Sequence, residues 1–179
     1  MSFEQSLQFG KIGESLIAKW FLRRGYSVLP VYEKEYVENK GPVLFCPENK
    51  QYICPDLLVF NEQNKVFWIE AKHKTAFTWH RNTKQWVTGI DIHHYENYLE
   101  IAKKNHSWPV YLLFLHGKGI AKDTPEGMES PAGLFGNTLE HLSKHEHHRH
   151  KNWGKNGMVY WSLKHLKRYA NIEDVGANN

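Results

Sequence analysis

Cysteine is almost missing from this chain of 179 residues: Cys46 and Cys54 are the only two. Two thiols exclude a disulfide framework and, by themselves, a four-thiolate zinc or iron–sulfur site, so any metal chemistry falls to oxygen or imidazole ligands. Long apolar runs are missing as well. No stretch approaches the about 20 apolar residues of a membrane span, and Met1-Ser2-Phe3-Glu4-Gln5 lacks a basic segment followed by an apolar one. The expectation is a soluble, cytoplasmic protein with neither a leader nor a membrane segment. An excess of one charge is also wanting: 23 Lys and Arg against 19 Asp and Glu leave a net +4, which permits a polyanionic partner without demanding one. Aromatic rings, by contrast, are plentiful. Seven Trp, nine Tyr and nine Phe within a 41% apolar composition can fill a core at this length and rule out wholesale disorder. Twelve His add charge in mild acid or beside phosphates.

The length favours one domain, expected over residues 1–170, with an irregular His-rich stretch at about 117–156 and a disordered tail at 171–179. Phe3, Leu7, Gly10, Ile17, Ala18 and Phe21 share one face at ~100° per residue, which predicts a helix over residues 3–24 that Gly25 stops. Residues 26–32 read as a strand and 33–40 as a polar loop. Residues 43–46 and 51–54 flank the turn-like Pro47-Glu48-Asn49-Lys50 and predict a small hairpin. Leu57-Leu58-Val59-Phe60 and Val66-Phe67-Trp68-Ile69 are apolar without alternation, so both faces of this strand pair must be covered. Asp91 is placed to cap a helix carrying Ile92, Tyr95, Leu99 and Ala102 and ending near Asn105. A buried strand over 109–115, a Gly- and Pro-rich loop over 117–133, a short helix over 134–150 and a last strand over 158–163 complete the reading. The order predicts an α/β (α+β) fold, a central mixed sheet with helices on both faces.

Three carboxylates stand where structure alone gives them no purpose. Glu14 falls at ~20° on the helical wheel, amid Leu7, Ile17 and Phe21, where an unpaired charge is expensive. Asp56 follows Pro55 at the mouth of one buried strand, and Glu70 and Lys72 sit on one face at the end of the next. If Asn61 to Lys65 form the connecting loop, Phe60 pairs with Val66, Leu58 with Trp68, and Asp56 with Glu70. Opposed residues have Cβ atoms ~5 Å apart, so the two carboxylates repel unless a cation lies between them. Oxygen ligands on rigid strands suit Mg²⁺, with Mn²⁺ as a substitute, and such ions bind substrate phosphates. The chemistry that follows is phosphodiester hydrolysis, with Lys72 orienting water or stabilising transition-state charge and Glu14 completing the cluster from a helix packed across the same face.

Glu14 in the first helix, then Pro55-Asp56, then thirteen residues, then Glu70-Ala71-Lys72 resembles the PD-(D/E)XK nuclease superfamily, over about residues 5–116. The resemblance implies a restriction-endonuclease-like core and Mg²⁺-dependent cleavage of DNA, and within the superfamily the order of motifs is most similar to the resolvase-like branch. It implies that Asp56 and Glu70 hold the metal, that Lys72 assists the nucleophile and that Glu14 joins the metal shell. Cys46 and Cys54 do not match the four-cysteine iron–sulfur nucleases of the superfamily.

Basic residues interleaved with aromatics over residues 73–86 suit a nucleic-acid surface, with His73, Lys74 and Arg81 as the expected DNA contacts; the alternative is a loop whose tryptophans pack on the domain. His141, His145 and His148 fall at i, i+4 and i+7, a spacing that can bind zinc, although the surrounding Arg149, His150 and Lys151 favour a solvated or phosphate-facing surface. Lys164, Lys167 and Arg168 read as the polar face of a terminal helix. The first expectation is therefore a metal-dependent endonuclease acting on DNA, as monomer or homodimer. A branched-DNA resolvase, a non-catalytic nucleic-acid-binding module and a histidine-based metal-binding protein stand as alternatives.

Overall fold

The computed structural model describes residues 3–31, 42–104, 107–121, 123–153 and 156–176. The expected loop at 33–40 and the helix end at Asn105 lie outside them.

Helix α1 (Phe3–Leu22) buries Ile17, Trp20 and Phe21, the i, i+3, i+4 stripe of an amphipathic helix. It stops at Gly25, whose φ of +79° suits a residue without Cβ and whose N–H reaches the Leu22 carbonyl. Strand β1 (Ser27–Pro30) follows, then the hairpin β2 (Val43–Phe45) and β3 (Gln51–Ile53). Next come β4 (Leu57–Phe60) and the nine-residue β5 (Val66–Lys74). Their ladder pairs Phe60 with Val66, Leu58 with Trp68 and Leu57 with Ile69. That is the register expected from a loop of residues 61–65, and it closes one residue short of Asp56 and Glu70.

The chain then departs from the expected loop. Residues 73 and 74 extend β5, and β6 (Thr78–His80) and β7 (Gln85–Asp91) form a hairpin in which Trp79 faces Trp86. Their rings meet edge-on at 5.0 Å, so the alternation of polar and aromatic residues belongs to a half-buried ribbon. Helix α2 (Ile92–Lys104) starts at the expected cap, the Asp91 carboxylate accepting from His93 N–H at 2.8 Å. It leads to β8 (Val110–His116), which runs parallel to β5 with Glu70 beside Leu112 and Lys72 beside Phe114.

A second departure concerns residues 134–150, expected to be helical. Gly133–Thr138 is strand β9, pairing with β8 on one side and with β12 on the other; only Leu139–Ser143 is helix (α3), and His148–His150 is strand β10. The pairing partners on both edges decide this segment over its local periodicity. Strand β11 (Met158–Ser162) is followed by β12 (Lys167–Ala170), so Lys167 and Arg168 lie on an edge strand and not on a helix. Within the expected tail, Ile172–Val175 form α4, whose Val175 is fully buried; residues 177–179 lie outside the described part.

The strands form a six-stranded mixed sheet in the order β1-β4-β5-β8-β9-β12 and a four-stranded antiparallel sheet in the order β10-β11-β7-β6. The two faces of the central sheet carry different cores. Ile69, Ala71, Leu113 and Leu115 pack with Ile17 and Phe21 of α1 and with Val175. Trp68, Leu112 and Phe114 pack with Tyr98 and Ile101 of α2 and with Val159 and Trp161 of the second sheet. The fold is thus mixed α/β, with a central mixed sheet flanked by helices. Among the described residues no helix is long and apolar enough to cross a membrane.

Candidate functional site

Alternation along β5 assigns its residues to faces. Ile69 and Ala71 belong to the α1 side, so Glu70 and Lys72 point to the α2 side. Along β4, Leu57 and Val59 lie on the α1 side, which places Asp56 with Leu58 on the α2 side. The register therefore brings Asp56, Glu70 and Lys72 together at the end of the β4–β5 ladder. Asp56 Oδ2 accepts a hydrogen bond from Ala71 N–H at 2.8 Å, which continues the ladder with a side chain in place of a carbonyl. Lys72 Nζ forms an ion pair with Glu70 Oε1.

Glu70 is completely buried, the only carboxylate so enclosed among the described residues, and the donors beside it are the Lys72 ammonium and the Tyr98 hydroxyl. A buried carboxylate in that state is costly, and the Lys72 ammonium offsets only part of the charge of two neighbouring acids. The strain appears in the titration of its neighbours. Burial first, and the Glu70 charge second, push Asp56 up to about 7 against the opposing pull of Lys72 and Ala71 N–H. Burial alone would draw the Lys72 ammonium down, but Glu70, Asp56 and Glu14 outweigh it and hold it above its ordinary value. Glu14 is itself raised, by burial and then by Asp56, with Lys72 and Lys11 acting in the other direction. Glu14 thus shares the electrostatic neighbourhood of Asp56 and Lys72. The approach differs from expectation: α1 covers the face of Ile69 and Ala71, opposite the one that carries Glu70 and Lys72.

Two side chains of α2 join the group and had no signal in the apolar stripe of Ile92, Tyr95, Leu99 and Ala102. The Tyr98 phenol is fully buried, and its pKa stands well above the ordinary value because of burial and then the Glu70 and Asp56 charges. His94 hydrogen-bonds the Tyr98 hydroxyl at 3.4 Å and is lowered by burial first and the Lys72 charge second, which keeps it neutral. The i, i+4 spacing of His94 and Tyr98, on the helix that follows the proposed site, is the sequence signal that could have found them.

The residues expected to contact nucleic acid separate. His73 points to the α1 side: its ring stacks on Phe9 at 3.6 Å, Nδ1–H donates to the Phe9 carbonyl at 2.8 Å, and Gly13 lies against its Cβ. Helix packing thus holds one side of this half-buried ring. Lys74 shares the face of Lys72, and burial together with the Lys72 charge lowers its amine to about 8. Arg81 is exposed in the β6–β7 turn and pairs with Asp123 at 2.5 Å.

The donor set fits a hard divalent cation. Glu70 and Asp56 bring carboxylate oxygens to one place, Asp56 has one oxygen free of Ala71, and Glu14 lies within range of the Asp56 charge. The chain was compared with protein-family models, with curated proteins and with solved structures, and none of them matches it.

Proposed function

We propose that this protein is a divalent-metal-dependent nuclease that hydrolyses DNA phosphodiester bonds, and that its central sheet is a restriction-endonuclease-like core of the PD-(D/E)XK type. One observation carries the reading: the fully buried Glu70 carboxylate lies beside Asp56 at the end of an antiparallel ladder, with Lys72 on the same face. Two acids placed so that one must carry a pKa near 7 are a poor structural device and a good cation site.

Asp56, Glu70 and Glu14 would hold Mg²⁺, for which Mn²⁺ would substitute. Bound there, the ion supplies Lewis acidity toward a phosphate oxygen and toward water. The chain contributes the rest. Asp56 is fixed by Ala71 N–H, so its free oxygen has one direction to present. Lys72 stays protonated through the neutral range, so Nζ acts as a fixed positive charge and donor for the negative charge that develops on phosphate oxygens. It is unsuited to remove a proton. Tyr98 and neutral His94 close the α2 side and limit water around Glu70.

The test is a cleavage panel of plasmid, four-way junction, flap and single-stranded DNA with Mg²⁺ and with Mn²⁺. Divalent-dependent cutting of at least one substrate is expected, with Asp56→Asn and Glu70→Gln each abolishing it while circular dichroism stays unchanged. The reading is overturned if no substrate is cut, if chelation leaves the rate intact, or if either variant cuts within tenfold of wild type.

A further inference from the structure

The four-stranded sheet has β10 at one edge and β6 at the other, two strands apart, yet both edges end at one point. His80 closes β6, and His148 opens β10 directly after His147. Across that junction the His80 ring lies 4.8 Å from His147 and 4.6 Å from His148. The sheet therefore curls until its open edges meet, and the residues at the seam are three imidazoles. One ring nitrogen from each lies within 4.8 Å of the other two.

We propose that His80, His147 and His148 form a binding site for a zinc-class transition-metal ion that joins the two edges of this sheet. A tetrahedral Zn²⁺ with Zn–N bonds of about 2.0–2.1 Å sets its ligand nitrogens about 3.3 Å apart, so modest ring rotations complete the shell. Nitrogen donors with no thiolate and no carboxylate among them suit Zn²⁺ better than Mg²⁺. His80 and His148 both line a cavity of about 290 Å³ whose walls include Trp153 and Tyr160, room enough for a water ligand.

The surroundings hold the rings in place. Thr83 Oγ1 lies 2.8 Å from His80 Nδ1 and 3.0 Å from His147 Nε2, bridging the two sides of the seam. His148 stacks on Tyr160 at 4.5 Å with the rings 2° from parallel. His147 Nδ1 and His148 Nδ1 approach to 2.7 Å, a hydrogen bond in which one ring nitrogen donates and the other accepts. Such supporting contacts fix ring orientation in metal centres. A second trio, His141, His145 and His165, is also close enough to hold an ion. Its rings stack on one another at 4.3 and 4.4 Å, a side-by-side arrangement that turns faces and not lone pairs together. The seam trio is the better built.

The test uses the full chain in the Asp56→Asn, Glu70→Gln background, which removes the carboxylate site as a competing ligand set. It is stripped with chelator and titrated with ZnCl₂ by calorimetry and with CoCl₂ in the visible range. One equivalent is expected at the seam, with the absorption of a four-coordinate cobalt ion. His80→Ala and His147→Ala should each cost no less than the roughly 10–100-fold in affinity that loss of an outer-shell partner costs. His141→Ala combined with His165→Ala should leave that equivalent in place. With every histidine retained, ZnCl₂ at about a hundredfold excess over Kd should raise Tm by roughly 5–10 °C, a readout that needs no histidine variant to fold. The proposal is overturned if zinc neither binds nor shifts Tm, if His80→Ala and His147→Ala keep full affinity, or if the equivalent is lost only with His141 and His165.

Discussion

Replacing Asp56 by asparagine should stabilise the metal-free protein, and by an amount that depends on pH. The Asp56 carboxyl titrates at about 7 in the folded chain against an ordinary 3.8. A group whose folded pKa is raised binds its proton more tightly when folded, so stability is greatest below the unfolded pKa and falls as pH rises between the two values. Complete ionisation costs up to about 4 kcal/mol on that basis. Between pH 5 and pH 8 the wild-type chain crosses the upper part of this window and loses about 3 kcal/mol, a loss from which the uncharged amide of the Asp56→Asn variant is exempt. The amide still offers an oxygen to Ala71 N–H, so the backbone contact survives the exchange. Titrations that the Asp56 charge does not influence, such as that of Lys74, are common to both proteins and cancel in the difference. The assay is urea unfolding of both proteins in chelator at pH 5, 6, 7 and 8. The stability difference should grow in favour of the variant up to about pH 7 and then level, which for a chain of this size corresponds to roughly 5–10 °C in Tm. A difference flat with pH to within about 0.5 kcal/mol would refute the account of Asp56 as a carboxylate held against burial and Glu70.

Two further substitutions test the parts around it. Lys72→Ala leaves the buried Glu70 charge without its ion-pair partner and should destabilise the chelated protein by about 3–5 kcal/mol at pH 8, while single-turnover DNA cleavage stays slow at saturating enzyme; equal stability in urea, or a recovered rate, would contradict it. Gly13→Ala would place a Cβ 2.3 Å from His73 Cβ, so overpacking of about 1–3 kcal/mol should exceed the about 1 kcal/mol that alanine gains in helix propensity, and a melting temperature at or above wild type would show that α1 does not press on β5 there.

The β4–β5 register was legible because it rests on local arithmetic: two apolar runs, a five-residue connection and side chains that alternate. The Asp91 cap and the β2–β3 hairpin were legible for the same reason, since neighbouring residues decide them. Where distant partners decide, the reading failed. Residues 134–138 look helical beside the histidines that follow, but the open edge of β8 recruits them as a strand, and β12 then pairs with that strand in turn. The β6–β7 ribbon carries enough Lys, Arg, Thr and Asn to pass for a loop until Trp79 and Trp86 are seen to face each other. Glu14 was placed on the correct helix and the wrong side of the sheet, because a helical wheel gives a direction within the helix and nothing about which face of the sheet the helix covers. His94 and Tyr98 went unnoticed because polar atoms on a half-apolar helix declare themselves only once their neighbours are known. The seam histidines were hidden most thoroughly: residues 80 and 147 meet only through the curl of a sheet.

The clasp between α1 and α4 has a consequence for the order in which the molecule matures. Arg23 reaches across to the carbonyls of Asp174 and Val175 at 2.9 and 3.0 Å, and Val175 sits in the core that Ile17 and Phe21 share with the central sheet. On the ribosome, α1 is made before every strand of the central sheet, yet this fastening exists only after residue 175 has been added. The helix that carries Glu14 therefore receives this support only once α4 follows the last strand of the sheet, when the strands that bear Asp56 and Glu70 are already made.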